Sequence, residues 1–243
     1  MPTYRIADCS IGISSLYPQV QALCRDYRAD GIPDFTISMT REDLDAERLR
    51  VRQETAGSIQ GDHSRFDSYL EELAVYRKIA EKMPEYDTFL MHASAIAVDG
   101  EAFLFTAPSG TGKSTHTRLW RELLGERAVM INDDKPLLRV ADGKATVFGS
   151  PWNGKHRLGT NTSAPVRAIC FLERSTENRI REVPPAEIYP GLLAQTYRPE
   201  NAEALLRTLK LLKRLQQCVR FYRLGCNMNP DAAVLSYQRM KSG

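Results

Sequence analysis

Length, composition and charge place this chain among ordinary globular proteins. Its 243 residues are enough for one large domain or two modest ones with a sizeable core, and its 42% hydrophobic and 26% charged residues exclude a membrane-dominated chain. The formal net charge of +3 is too small to indicate nucleic acid as a partner.

The first 87 residues predict an α+β region, which we expect to serve substrate or partner recognition. Short alternating apolar runs predict strands, and longer runs with helical spacing predict helices. In chain order the predicted elements are a strand over Tyr4–Ala7, a helix over Tyr17–Tyr27, a strand over Phe35–Met39, a helix over Arg41–Glu54 and a helix over Phe66–Met83 that Pro84 stops.

Residues 88–243 predict a second domain rich in β-hairpins. The apolar runs Phe89–Val98 and Ala102–Thr106 flank Asp99-Gly100, a strong type I′ turn signal, so His92 is expected inside a strand. The mixture indicates an α/β fold with a mixed, hairpin-rich sheet and flanking helices. The later predicted elements are a helix over Ser114–Gly125, a strand over Ala128–Ile131, a hairpin of Leu137–Val140 and Ala145–Phe148 around Asp142-Gly143, a strand over Val166–Leu172, a helix over Ala202–Gln217, a strand over Phe221–Leu224 and a terminal helix.

The sequence carries no signal for export or for a membrane span. No stretch is long and apolar enough to cross a bilayer, and Met1–Ser10 lacks a basic start followed by an apolar run. Five widely spaced cysteines without a Cys-x-x-Cys pair indicate neither a disulfide framework nor a zinc site. We therefore expect a cytoplasmic protein with no membrane or nucleic-acid partner.

The segment between a predicted strand and a predicted helix has the pattern of a phosphate-binding loop. Glycines let backbone N–H groups wrap a phosphate, the lysine supplies a positive charge, and the hydroxyl after it is suited to Mg²⁺. This pattern predicts binding of a purine nucleoside triphosphate, ATP, with Mg²⁺. Ala107 stands where the usual pattern has its first glycine, and an alanine fits there only if its φ is negative. The competing interpretation of the segment is a small-residue turn capped by Ser114. The predicted nucleotide-binding residues are Ser109, Gly110, Thr111, Gly112, Lys113, Ser114 and Thr115.

Two adjacent carboxylates, Asp133 and Asp134, follow the next predicted strand. One could hold Mg²⁺ while the other accepts the proton of an attacking hydroxyl. The alternative is a solvated Asn-Asp-Asp turn before Pro136.

Three histidines lie near these segments. A lone histidine in an apolar strand is more often a hydrogen-bonded core residue than a catalyst, and this is the simpler interpretation of His92. His116, on the predicted helix, and His156, in a basic loop, are interpreted as surface residues.

Together, these segments resemble the catalytic domain of HPr kinase/phosphorylase and, more distantly, phosphoenolpyruvate carboxykinases. The resemblance implies a PEP-carboxykinase-like P-loop domain in which Asp133 is the acid/base for a serine hydroxyl, His92 orients or senses that carboxylate, Lys113 contacts phosphate, and Ser114 and Asp134 help to bind metal. The match extends from His92 to Asp134 and thins out towards Glu173. The segments that carry it are Met91-His92-Ala93-Ser94, Ser109-Gly110-Thr111-Gly112-Lys113-Ser114 and Asn132-Asp133-Asp134.

A further loop, from Ser150 to Lys155, is similar to HPr-kinase-like proteins found with peptide-modification systems. That similarity implies a peptide serine as acceptor. Lys155, His156 and Arg157 are suited to neutralise phosphate or an acidic acceptor, and a solvated loop is equally compatible with the pattern.

The first functional hypothesis is an ATP- and Mg²⁺-dependent phosphotransferase, a kinase that acts on a hydroxyl of a protein or peptide, with serine favoured. The alternatives are a nucleotide-binding regulatory or scaffold protein without transfer, and a small-molecule or carboxykinase-like enzyme. The sequence leaves open the acceptor, a homo-oligomeric state and any reverse, phosphate-removing activity.

Overall fold

A computed structural model describes residues 1–54, 63–154 and 156–242. The chain divides into two units, Met1–Lys82 and Met83–Gly243. The functional roles assigned to residues 1–87 and 88–243 stay predictions, and Lys155 lies outside the described residues.

The first unit is an α+β arrangement built on a small sheet of order β3-β1-β2-β4, in which only β2 and β4 run parallel. Strand β2 and the turn before it were not predicted: Ala7 and Asp8 both have positive φ, so β1 ends at Ile6 and the chain turns back. The predicted helix over Tyr17–Tyr27 is too long, since it ends at Leu23 and a 3-10 turn follows. The elements are β1 Thr3–Ile6, β2 Cys9–Ser14, α1 Pro18–Leu23, β3 Arg28–Ala29, β4 Phe35–Ser38, α2 Arg41–Glu54 and α3 His63–Lys82.

The second unit is built on a mixed sheet of nine strands among the described residues. Its main order is β5-β9-β10-β11-β7-β6-β8, and β13 lies beside β11 with β12 on its far side. Strand β11 is parallel to both β7 and β13, and the remaining pairs are antiparallel. Helix α5 and strand β12 were not predicted. The elements are β5 Thr88–Leu90, β6 Ser94–Val98, β7 Glu101–Thr106, α4 Lys113–Leu124, β8 Ala128–Asn132, β9 Leu137–Ala141, β10 Lys144–Phe148, β11 Ser163–Arg174, β12 Arg179–Glu182, α5 Pro185–Ala194, α6 Ala202–Cys218, β13 Arg220–Cys226 and α7 Asp231–Ser242.

Both predicted hairpins are confirmed. Asp99 and Gly100 have φ of 52° and 83°, and Asp142 and Gly143 have φ of 50° and 71°. A type I′ turn needs positive φ at both central residues, which aspartate and glycine tolerate. These turns set the pairing of β6 with β7 and of β9 with β10.

The predicted single strand over Phe89–Val98 is wrong, because the chain leaves one part of the sheet and enters another. Strand β5 pairs with β9, whereas β6 pairs with β7 and β8. Between them, the His92 N–H donates to the Gln195 carbonyl at 2.7 Å, and the Ala93 N–H donates to the Asp134 carbonyl at 3.1 Å. His92 therefore lies in a crossover segment at the edge of the sheet.

Helices cover both faces of the larger sheet. Alternation along β7 places Phe103 and Phe105 in one apolar cluster with Trp120 of α4, and places Leu104 in another with Leu212 of α6. Helix α6 confirms the predicted helix over Ala202–Gln217, and its residues Leu211, Leu212 and Leu215 are buried against the core. The described residues thus form a mixed α/β fold with seven α-helices, none of which is long and apolar enough to cross a membrane.

Candidate active site

The predicted phosphate loop connects the end of β7 to the start of α4. Gly110 and Gly112 have φ of 77° and 124°, conformations that side chains with a Cβ rarely adopt. Ala107 keeps a negative φ, so the missing first glycine does not strain the backbone. The sequence therefore puts glycine at the two loop positions where this backbone needs it.

The first turn of α4 is open to an anion. Among the described residues no side chain caps it, and its first turn contains no acidic residue. Helix α6 is different, because Asn201 accepts the N–H groups of Glu203 and Ala204 at 3.0 Å each. Uncapped N–H groups at the positive end of a helix attract phosphate.

Lys113 lies over the same loop. Its Nζ donates to the Ala107 carbonyl at 3.0 Å, and the residue is 7% exposed. Burial lowers the pKa of this amine, and the negative charges of Asp134 and Asp133 oppose that shift. A positively charged lysine that is largely removed from water interacts more strongly with phosphate oxygens than an exposed one.

Asp133 is a buried carboxylate at the end of β8. It is 6% exposed, and the Ser94 hydroxyl donates to its Oδ1 at 2.7 Å. Since Ser94 begins β6, the pairing of β6 with β8 brings the two side chains together. Such a bond to a carboxylate fixes its position and leaves its second oxygen available.

His92 lies against the second carboxylate, Asp134, whereas the resemblance implies that it orients or senses Asp133. Its Nδ1 is 3.0 Å from the Gln195 Oε1, an atom that only accepts, so Nδ1 carries the proton in neutral His92. The Nε2 is then 3.6 Å from the Asp134 Oδ1, and the Lys135 Nζ contacts the other oxygen of Asp134 at 2.5 Å. Burial chiefly lowers the pKa of His92, Lys113 lowers it further, and Asp134 opposes the shift.

Asn132 holds the turn that carries both aspartates. Its Oδ1 accepts the N–H groups of Asp134 at 2.9 Å and Lys135 at 2.7 Å. Its Nδ2 donates to the carbonyls of Ser150 at 3.2 Å and Trp152 at 3.3 Å. The fully buried amide thus ties the turn to the Ser150–Trp152 segment.

One cavity of about 390 Å³ brings these groups together. Thr111 is the only predicted nucleotide-binding residue that does not line it. His156 also lines this cavity and is exposed, whereas Arg157 is exposed beyond it. The predicted site residues around the cavity are His92, Ser109, Gly110, Gly112, Lys113, Ser114, Thr115, Asp133 and Asp134.

The side chains in this cavity fit a nucleotide-bound Mg²⁺ better than a metal held by protein alone. Within the described ranges, no three His, Cys, Asp or Glu side chains form a metal-binding group. The Ser114 hydroxyl and the Asp134 carboxylate do line one cavity. Mg²⁺ at phosphate sites takes one or two protein ligands and completes its shell with phosphate oxygens and water.

His116 is not the surface residue that the sequence suggested. It is 2% exposed, its ring meets the Phe105 ring edge-on with centroids 4.7 Å apart, and its Nε2 is 3.0 Å from the Ser236 Oγ. Burial lowers its pKa to about 4. His116 lies on the buried face of α4, together with Leu119 and Trp120.

Sequence reasoning assigned no role to Ser94, Asn132 or Gln195. Ser94 and Asn132 stand within the segments that carry the family resemblance, so each had a signal close by. Gln195 had none, because it follows the unpredicted helix α5 and reaches His92 only through the fold.

The sequence matches no protein-family model and no curated protein. Among solved structures, the chain is similar to an Hpr(Ser) kinase/phosphatase from Coxiella burnetii, with 12% sequence identity and a TM-score of 0.34. The alignment covers 63% of this chain and 99% of that one. A likeness of this degree assigns no function.

Proposed function

We propose that this protein is an ATP- and Mg²⁺-dependent kinase that transfers the γ-phosphoryl group to a hydroxyl, namely serine in a protein or peptide. One observation carries the proposal: a buried lysine, an uncapped helix N-terminus and a buried carboxylate line the same cavity. Residues 88–243 would then be a PEP-carboxykinase-like P-loop domain, and residues 1–87 would serve substrate or partner recognition.

The loop and Lys113 would bind the triphosphate. Backbone N–H groups around Gly110 and Gly112 would donate to phosphate oxygens, and the Lys113 Nζ would exchange the Ala107 carbonyl for the β- and γ-phosphates. Ser114 and Asp134 would hold Mg²⁺, which supplies charge neutralisation on the phosphates when bound. These groups stabilise charge that develops during transfer.

Asp133 would accept the proton of the attacking hydroxyl. The hydroxyl oxygen forms a bond to the γ-phosphorus while the bond from that phosphorus to the β–γ bridging oxygen breaks, and ADP leaves with that electron pair. The Ser94 hydroxyl would hold Asp133 in position for this step. With its Nδ1 proton held by Gln195, neutral His92 would turn an unprotonated Nε2 towards Asp134 and would donate to that carboxylate only after taking up a second proton. His92 would therefore sense the charge of Asp134.

Exposed basic residues at and next to the cavity favour an acceptor with negative charge. His156 is exposed on the lining, and Arg157 next to it is exposed as well. Basic groups at that position favour an acidic peptide over a neutral small molecule.

The test is transfer from γ-labelled ATP, with Mg²⁺, to a library of serine-containing peptides. We expect Lys113→Ala to abolish both ATP binding and transfer. Asp133→Asn should keep ATP binding by calorimetry and reduce transfer by about 10² to 10⁴, the usual contribution of a general base. Matched controls are Lys144→Ala and Asp142→Asn in the exposed β9–β10 hairpin, which should match wild type.

Full transfer by Asp133→Asn would refute the assignment of the base. ATP binding by the wild type without transfer to any hydroxyl would favour the nucleotide-binding scaffold instead.

A further inference from the structure

A second cavity, of about 460 Å³, adjoins the candidate active site. Gly110, Gly112 and Thr115 line both cavities, so the phosphate loop forms a shared wall between them. The volume lies in the range of about 300–1,000 Å³ that is typical of small-molecule sites. A ligand bound to the loop can therefore extend from one cavity into the other.

The second cavity lies at the carboxyl edge of three parallel strands. Strand β7 leads into the phosphate loop, β11 ends at Arg174 beside it, and β13 ends at Cys226, which is paired with Arg174. Arg174 and Cys226 line the cavity together with Asn227 and Met228. Ligands of open α/β sheets bind outside the carboxyl ends of such strands.

The two cavities lie on opposite sides of β7 in the order of the sheet. Asp133 follows β8 and His92 precedes β6, whereas Arg174 and Cys226 end β11 and β13. If the reacting phosphate faces Asp133, the remainder of the triphosphate molecule points towards β11 and β13. The direction of the ligand follows from strand order alone.

The far wall of this cavity is already held in place by hydrogen bonds. Asn227 donates from Nδ2 to the Thr176 carbonyl at 2.9 Å and accepts the Asn229 N–H at 3.0 Å. Arg174 donates to the Gly110 carbonyl, which ties this wall to the phosphate loop. A wall fixed in this way costs little ordering entropy when a ligand binds.

We propose that this second cavity binds the nucleoside half of the triphosphate, with Met228 covering the face of the base. The proposal rests on the kinase function proposed above, because it takes the phosphates to lie on the loop. Met228 is 78% exposed although it is apolar. It lines the cavity from the β13–α7 loop, and the apolar Leu119 lines it from α4. A thioether packs well on a flat heteroaromatic ring.

The test compares two probes with the intact chain: ATP and inorganic tripolyphosphate, each with Mg²⁺, by calorimetry. Wild type should bind ATP more tightly than tripolyphosphate. Met228→Ala should weaken ATP about fivefold through lost contact with the ring and leave tripolyphosphate unchanged. Leu206→Ala, at another exposed apolar position, on α6, is the matched control and should change neither affinity.

A second measurement uses the thiols. Cys226 lines the cavity, whereas Cys218, also partly exposed, does not. ATP should slow alkylation of Cys226 but not of Cys218, and tripolyphosphate should slow neither.

Two outcomes would refute nucleoside binding in this cavity while leaving phosphate binding by the loop intact. One is equal affinity of the wild type for ATP and tripolyphosphate. The other is an unchanged ATP affinity in Met228→Ala together with no protection of Cys226. Binding of neither probe would overturn both proposals.

Discussion

Acidification should destabilise residues 83–243 through His116, and the hydrogen bonds around this residue show why. The Ser236 hydroxyl donates to the Ala233 carbonyl at 3.1 Å and accepts from the Trp120 Nε1 at 2.8 Å. Its single proton is used, so the His116 Nε2 must carry the proton of their 3.0 Å bond. The Nδ1 is buried with no hydrogen-bond partner among the described residues, and a proton there would have no acceptor.

The expected size of the effect follows from the pKa of His116, which burial lowers from 6.5 to about 4. As the pH falls below 6.5 the unfolded chain binds a proton that the folded chain does not, so the free energy of unfolding decreases. Each pH unit in this window costs about 1.4 kcal/mol. The loss between pH 7 and pH 5 is therefore about 2 kcal/mol from this residue, and it levels off below pH 4.

The assay is urea unfolding at pH 7 and pH 5, followed by tryptophan fluorescence. Both tryptophans, Trp120 and Trp152, belong to residues 83–243, so the signal reports that unit. His116→Gln keeps a donor for Ser236 but cannot titrate, and it should lose about 2 kcal/mol less than wild type between the two pH values. The exposed His156→Gln is the matched control and should follow wild type. An equal pH dependence in His116→Gln and wild type would refute this reasoning.

Three further substitutions test the hydrogen bonds of the candidate active site. Asn132→Leu leaves buried N–H and carbonyl groups unpaired and should lower the free energy of unfolding by about 2–3 kcal/mol in the same urea assay; a stable variant would show that this amide does not hold the turn. Ser94→Ala removes the donor to Asp133 and should reduce transfer about tenfold with ATP affinity unchanged, whereas a loss of ATP affinity alone would contradict a positioning role. Gln195→Leu removes a bond that raises the pKa of His92, so an NMR titration should give a lower pKa for His92 than in wild type; a higher value would contradict the assigned proton position.

Local backbone sterics explain which features the sequence predicted well. The hairpin turns at Asp99-Gly100 and Asp142-Gly143 and the glycines Gly110 and Gly112 all occupy conformations with positive φ. Such positions restrict the residue type by local sterics, so they can be recognised without knowing the fold. Helix α2, Arg41–Glu54, was likewise predicted with its observed bounds.

Only the tertiary structure could show how the side chains of the site are held. The apolar run Phe89–Val98 looks like one strand, yet it divides at His92 because the N–H groups there find partners in distant segments. The Ser94–Asp133 bond spans 39 residues and the His92–Gln195 bond spans 103. The sequence by itself determined the backbone of the loop before α4, since Gly110 and Gly112 stand where φ is positive and local sterics favour glycine. Which hydroxyl holds Asp133, and which amide fixes the proton of His92, depends on strand pairing and packing over those distances.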